Sequence, residues 1–106
     1  MPDGLSGDSA DTDVKMFKNA DDERYEIWLG DIRVGLVDYY ERGGVVVIPH
    51  TETLPDFGGR GLASRLVQFA LDDIAEQRKK VNPACPFVAV FIKRNPEYAE
   101  LVSQHS

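Results

Sequence analysis

The sequence predicts an α/β (α+β) domain with the order ββββ-α-β-α and five strands in one mixed sheet. Three observations carry this expectation. The first half alternates apolar and polar residues with strand period and is cut by two glycine turns, Gly30-Asp31 and Gly43-Gly44. From residue 61 the apolar spacing changes to threes and fours, the period of a helix. A short apolar run, PFVAVFI, then follows a proline-marked break and reads as one more buried strand.

Each element has its own local reason. Residues 14–19 form a short first strand, and Ala20-Asp21-Asp22 makes a turn. In residues 24–29, Tyr25, Ile27 and Leu29 fall on one face, with Glu26 and Trp28 on the other. Gly30 tolerates the positive φ of a two-residue hairpin, so residues 32–41 return antiparallel. Gly43-Gly44 makes the next hairpin, and the β-branched run at 45–48 suits a central strand buried on both faces. Residues 61–80 then form the long helix, with Leu62, Leu66, Val67, Ala70, Leu71 and Ile74 on its apolar side. Arg78, Lys79 and Lys80 suit its last turn, and Val81-Asn82-Pro83 ends it. Residues 86–92 are expected as strand five, parallel to strand four because a helix connects them. Asn95-Pro96-Glu97 reads as the N-cap of a second, short helix carrying Tyr98, Leu101 and Val102. The aromatics Trp28, Tyr39 and Tyr40 are assigned to packing.

Composition limits the function classes. The 106 residues favour one domain, and 42% hydrophobic with 28% charged residues is ordinary for a soluble globular chain. Asp3, Asp8, Asp11 and Asp13 precede residue 14 with no Lys or Arg among them, so a net charge of −6 leaves −2 for residues 14–106. Residues 1–13 accordingly read as a disordered acidic leader, and residues 14–106 as the domain. No basic face recommends nucleic acid as a partner, and no apolar run suits a membrane span or a secretory leader. Cys85 is the only cysteine, which rules out an intramolecular disulfide and a thiolate zinc cage. A cytoplasmic, metal-free protein, monomeric or weakly dimeric, is expected.

The strand-to-helix turn is the first candidate site. Gly58-Gly59-Arg60-Gly61-Leu62-Ala63 lets backbone approach a ligand, and free N–H groups at a helix N-terminus favour phosphate. No Lys-Ser/Thr follows the last glycine, so the turn is not a P-loop, and Ser64 stands where a dinucleotide fingerprint has glycine. By itself the turn also fits a tight connection with glycines for packing.

The whole order resembles the GNAT superfamily of acetyltransferases. That pattern, Gln/Arg-x-x-Gly-x-Gly/Ala, maps onto residues 58–63; it agrees at Gly61 and Ala63 and departs at Gly58, where Arg60 is a candidate replacement. The likeness is closer to a short, minimal group of GNAT-like proteins with a cysteine before the last strand. It is carried by Ile48-Pro49-His50-Thr51-Glu52, the glycine turn, Asn82-Pro83-Ala84-Cys85-Pro86-Phe87-Val88 and Arg94-Asn95-Pro96-Glu97-Tyr98. The resemblance implies acetyl-CoA as co-substrate in a cleft between strands four and five. It implies that Gly58, Gly59, Arg60, Gly61, Leu62 and Ala63 hold the pyrophosphate, with Asn95 near the pantetheine or adenine arm.

Four polar residues are candidates for acetyl transfer. His50 and Glu52 share one side of strand four unless Pro49 introduces a bulge, and histidine suits a general base at neutral pH. Cys85 needs a neighbouring base or cation to become a nucleophile, and His50 is the expected one; otherwise it is a small buried apolar residue. Tyr98 matches a tyrosine that in many GNAT enzymes protonates the CoA thiolate, or else it packs beside Leu101. The expected function is an acetyl-CoA-dependent N-acetyltransferase acting on a small-molecule or protein amine. A CoA-binding module working through protein partners and an interaction domain without cofactor are the alternatives.

Overall fold

A computed structural model describes residues 14–58 and 61–103; the expected leader at residues 1–13 lies outside the described residues. Five strands form one sheet in the order of the chain: β1 (Val14–Asn19), β2 (Arg24–Leu29), β3 (Ile32–Arg42), β4 (Val45–Thr53) and β5 (Lys80–Asn82). The first four are antiparallel, and β5 pairs parallel with β4. The mixed five-stranded sheet and the ββββ-α-β-α order are as the sequence predicts.

Helix α1 (Leu62–Glu76) lies on one face of the sheet. Its Leu66, Val67, Ala70, Leu71 and Ile74 are fully buried and meet Tyr25, Ile27, Val34, Val37 and Ile48 of the sheet. Truncating one of the larger of these to alanine costs about 2–5 kcal/mol. Gly35 lets the sheet close here: an added Cβ would lie 3.0 Å from the Glu52 carbonyl oxygen and from Ile27 Cγ2.

By strand alternation the other face carries Phe17, Glu26, Trp28, Arg33, Leu36 and Asp38. Glu26 is 3% exposed and charged. Arg24 Nε donates to it at 2.8 Å, Trp28 Nε1 at 2.8 Å and Asn19 Nδ2 at 3.0 Å. Burial pushes its pKa up, but the hydrogen bonds from Arg24, Trp28 and Asn19 outweigh burial and hold it at about 2.

Three expectations are corrected. Residues 86–92 are not strand five: Pro86–Arg94 is a helix, α2. Strand five is Lys80–Asn82, so Cys85 follows the last strand instead of preceding it. Val88 and Ile92, four residues apart, are the buried positions of α2. Phe91 packs against the core from its edge while Phe87 and Val90 are exposed, so apolar residues ring the helix and the run carries no helical period in the sequence.

The long helix also ends at Glu76, short of residue 80. Arg78 adopts φ +60°, Arg78 N–H donates to Ala75 O at 3.0 Å and Lys79 N–H to Ile74 O at 3.1 Å. This is a Schellman ending with arginine where glycine is usual, so the sequence lacks its customary stop signal.

Asn95 does not N-cap a helix with its side chain. It closes α2, donating from Nδ2 to Phe91 O at 2.8 Å, and the segment that follows, Pro96–Leu101, is a 3-10 helix. The chain then returns beside β5, where Ser103 N–H donates to Val81 O at 2.9 Å.

Candidate active site

The site begins with a divergence of two strands. β4 and β5 pair only from Val45 to Val47 and from Lys80 to Asn82, while β4 continues to Thr53. Beyond the ladder, Cys85 N–H donates to Ile48 O at 2.8 Å. On its other side β4 bulges: Asp38 faces His50 and Tyr40 faces Val47, so Ile48 and Pro49 together oppose Tyr39. Proline has no N–H to give a ladder and fits such a bulge. The outer half of β4 therefore leaves β5 and opens a gap.

Helix α1 starts after this strand. Its N-cap is Gly61 at φ +72° and ψ 10°, a left-handed conformation that favours glycine. No side-chain cap hydrogen bond forms, and no acid occupies the first turn. Among the described residues no side chain takes up the first N–H groups of the helix, and the positive end of the helix dipole lies behind them. Gly58 caps the short 3-10 turn Pro55–Phe57, donating to Pro55 O at 3.3 Å. Gly59 and Arg60 lie outside the described residues.

Across from that turn, α2 supplies a wall. Ser64, Phe87, Val90, Phe91, Arg94 and Asn95 line a cleft of about 290 Å³. Phe87 is 41% exposed and Val90 47%, and together they give the cleft an apolar wall. A helix N-terminus beside an apolar cleft with an arginine and an asparagine at its margin has donors suited to phosphate next to a wall suited to a long apolar arm. A larger hollow of about 370 Å³ lies on the opposite side of the sheet, among Lys15, Phe17, Trp28, Gly30 and Asp31. It has no helix N-terminus in its lining, whereas Ser64 of the first turn of α1 lines the smaller cleft.

Cys85 is the N-cap of α2 and is buried. Its thiol donates to Thr51 Oγ1 at 3.5 Å. Burial pushes the thiol up, but the Thr51 hydroxyl and the backbone N–H groups of Val88, Phe87 and Thr51 outweigh it, and the pKa falls below the usual thiol value. The sulfur makes no full capping hydrogen bond to α2, so these amides act by proximity and direction.

His50 and Glu52 do share a face of β4, with Nε2 and Oε2 2.8 Å apart. Both are exposed, and Asp38 lies directly across from His50 on β3. Thr51 alternates with them and faces the other way, toward Cys85. His50 therefore pairs with Glu52, and Cys85 with Thr51. The histidine is not the partner of the cysteine.

Tyr98 lies elsewhere. It is buried against α1 and Phe91, and its hydroxyl donates to Asp72 at 2.7 Å. Burial and then the bond to Asp72 push its pKa up to about 12. Asp72 is ten residues along α1 from Leu62, or about 15 Å at the helical rise. Among the described residues no group of three or more His, Cys, Asp or Glu could hold a metal, and no helix is long and apolar enough to cross a membrane.

The sequence reading missed Thr51, Ser64, Phe87, Val90, Phe91 and Arg94. Only Pro86 signalled a helix start at the last group, through the preference of proline for the first helical position.

The chain matches the family model described as GCN5-related N-acetyl-transferase over residues 24–101, well over half its length. It is similar to Protein NATD1 of Homo sapiens and of Gallus gallus, 33% identical over 64 residues in each case. These matches cover 60% of this chain and 57% and 58% of those proteins, so the chain spans less than two thirds of the curated relatives. A GCN5-like protein of Staphylococcus aureus solved by NMR superposes with a TM-score of 0.68 at 16% identity, covering 87% of this chain and 90% of that one. That likeness establishes the fold.

Proposed function

Because the chain belongs to the GCN5-related N-acetyltransferase family, we propose that it transfers acetyl from acetyl-CoA to an amine. The observation that carries the proposal is the uncapped N-terminus of α1 beside the apolar cleft of α2. The N–H groups of Leu62, Ala63 and Ser64 receive the pyrophosphate, with Gly58 and Gly61 beside it. Phe87, Val90 and Phe91 cover the pantetheine arm, and Arg94 and Asn95 close the cleft margin. The gap between β4 and β5 admits the thioester.

His50 is the general base. With Nε2–H donated to Glu52, its basic lone pair lies on Nδ1, and Glu52 steadies the cation that forms. The amine loses a proton to His50, its nitrogen bonds the acyl carbon, and the carbon–sulfur bond breaks. The CoA thiolate leaves and takes up a proton. A relay through Cys85 beside the gap is the alternative route: its thiolate bonds the acyl carbon as the CoA thiolate leaves, and the amine then displaces the cysteine sulfur. Tyr98, held by Asp72, has a packing role.

Titration with acetyl-CoA, followed by amide NMR shifts, tests the site. Movement of Leu62, Ala63, Ser64 and Asn95 at micromolar ligand, about −8 kcal/mol of binding, is expected. No movement at millimolar ligand refutes the proposal. His50→Ala and Cys85→Ala should then lose turnover while keeping affinity. A second reading, a CoA-binding module acting through partners, draws on the exposure of His50, whose side chain is 50% accessible. Wild-type binding without turnover on any amine selects it.

A further inference from the structure

We propose that Thr51 is a positioning residue for Cys85: its hydroxyl holds the sulfur at the β4–β5 gap and donates to the thiolate form. The proposal rests on the reading of Cys85 as part of the acetyl-transfer site. Two contacts fix the pair. Cys85 N–H donates to Ile48 O at 2.8 Å, pinning the main chain to β4 at the bulge, and Sγ lies 3.5 Å from Thr51 Oγ1. Both are consequences of the bulge. It shifts the outer half of β4 by one residue, so that Thr51, between His50 and Glu52, turns toward the start of α2.

A hydroxyl is the right group for this position. It accepts from S–H when the thiol is neutral and turns its own O–H toward sulfur when the thiol is ionised. Valine would fill the same space and suit a strand at least as well, but would offer no proton. At 7% exposure Cys85 has little help from water, so a fixed donor must replace it if the thiolate is to form. The ionisable groups on the same stretch of β4, His50 and Glu52, pair with each other on the opposite face. The largest influences on the thiol are accordingly uncharged: burial against it, then Thr51, then backbone N–H groups in its favour.

Ultraviolet absorbance of the thiolate, titrated on the whole protein, tests the proposal without reference to acetyl transfer. Cys85 is the only cysteine, and the same titration of Cys85→Ser subtracts the absorbance of the four ionising tyrosines. Thr51→Val and Thr51→Ala should each raise the thiol pKa by about one, a roughly tenfold loss of thiolate at a pH below it, and Thr51→Ser should restore it. Alkylation rates should follow the same order. An unchanged pKa in the Val and Ala variants, or no rescue by Ser, overturns the proposal. If instead the titration behaves as expected while Cys85→Ala transfers acetyl at the wild-type rate, the pairing stands and the catalytic reading of Cys85 is what fails.

Discussion

The two ends of helix α1 are built on opposite plans. At the C-terminal end the polar groups are answered from within the chain. Asp73 accepts from the Tyr25 hydroxyl at 2.7 Å and from Gln77 Nε2 at 2.6 Å, and Lys18 Nζ lies 3.5 Å away. The last carbonyls are taken by Arg78 and Lys79 N–H groups, although this requires a non-glycine residue in a left-handed conformation. At the N-terminal end Gly61 offers no side chain, the first turn has no acid, and the neighbouring cleft wall of α2 shows phenylalanine and valine to solvent. A fold under selection for stability alone would cap that end, since a side-chain cap contributes about 1 kcal/mol. One end is closed by side chains and by the turn that follows it; the other carries no side-chain cap among the described residues.

The largest effect expected is on the sheet that carries both ends. Glu26 holds a pKa of about 2 against an ordinary 4.5. A carboxylate with a lowered folded-state pKa stabilises the fold above its unfolded value and loses this as pH falls through the folded one. The fall from 4.5 to about 2 is worth on the order of 3 kcal/mol. Stability measured by urea unfolding should therefore drop between pH 5 and pH 2, and Glu26→Gln should flatten that drop.

Next is the closed end. Asp73→Ala leaves the hydroxyl of Tyr25, a residue 1% exposed, without its acceptor. It should cost about 2 kcal/mol in denaturant unfolding, with affinity for acetyl-CoA untouched. A change in that affinity would show that the two ends are coupled and break the contrast.

The open end should respond in the reverse sense. Ser64→Glu places a carboxylate in the first turn, which favours the helix dipole by about 0.5 kcal/mol and opposes an anionic ligand. Calorimetry should record at least a tenfold loss of acetyl-CoA affinity, about 1.4 kcal/mol, with no loss of melting temperature. Equal affinity would move the anion site away from α1.

The smallest effect sharpens the closed end. Arg78→Gly relieves a left-handed residue and should raise stability by about 0.5–1 kcal/mol, read as a higher melting temperature. Destabilisation would mean that the Arg78 side chain contributes more than its backbone costs.

Particular residues explain how far the sequence was legible. Tyr25 and Ile27 alternate in sequence as they do in the sheet, Gly30-Asp31 and Gly43-Gly44 turn where glycine turns are expected, and Leu66, Ala70 and Ile74 recur at helical spacing. Gly61, Leu62 and Ala63 fall at a helix start that glycines announce. The pairing of His50 with Glu52 follows from alternation alone. Residues 86–92 misled because a helix with one side in the core and the other lining a cleft is apolar all round, and a short run of that kind has no readable period.

The order of strands, the crossover helix and the position of the glycine turn are local or nearest-neighbour properties. Periodicity and turn chemistry act over a few residues, so the amino-acid sequence alone determines them. The partner of Cys85 is of another kind. Thr51 lies thirty-four residues away in the chain, and it reaches the sulfur only because β4 bulges at Ile48 and Pro49 and parts from β5. Which side chains meet across that gap is set by a one-residue shift of register, and a shift of one residue exchanges the two faces of a strand. Tertiary packing alone decided that Thr51 meets the cysteine and that His50 faces away.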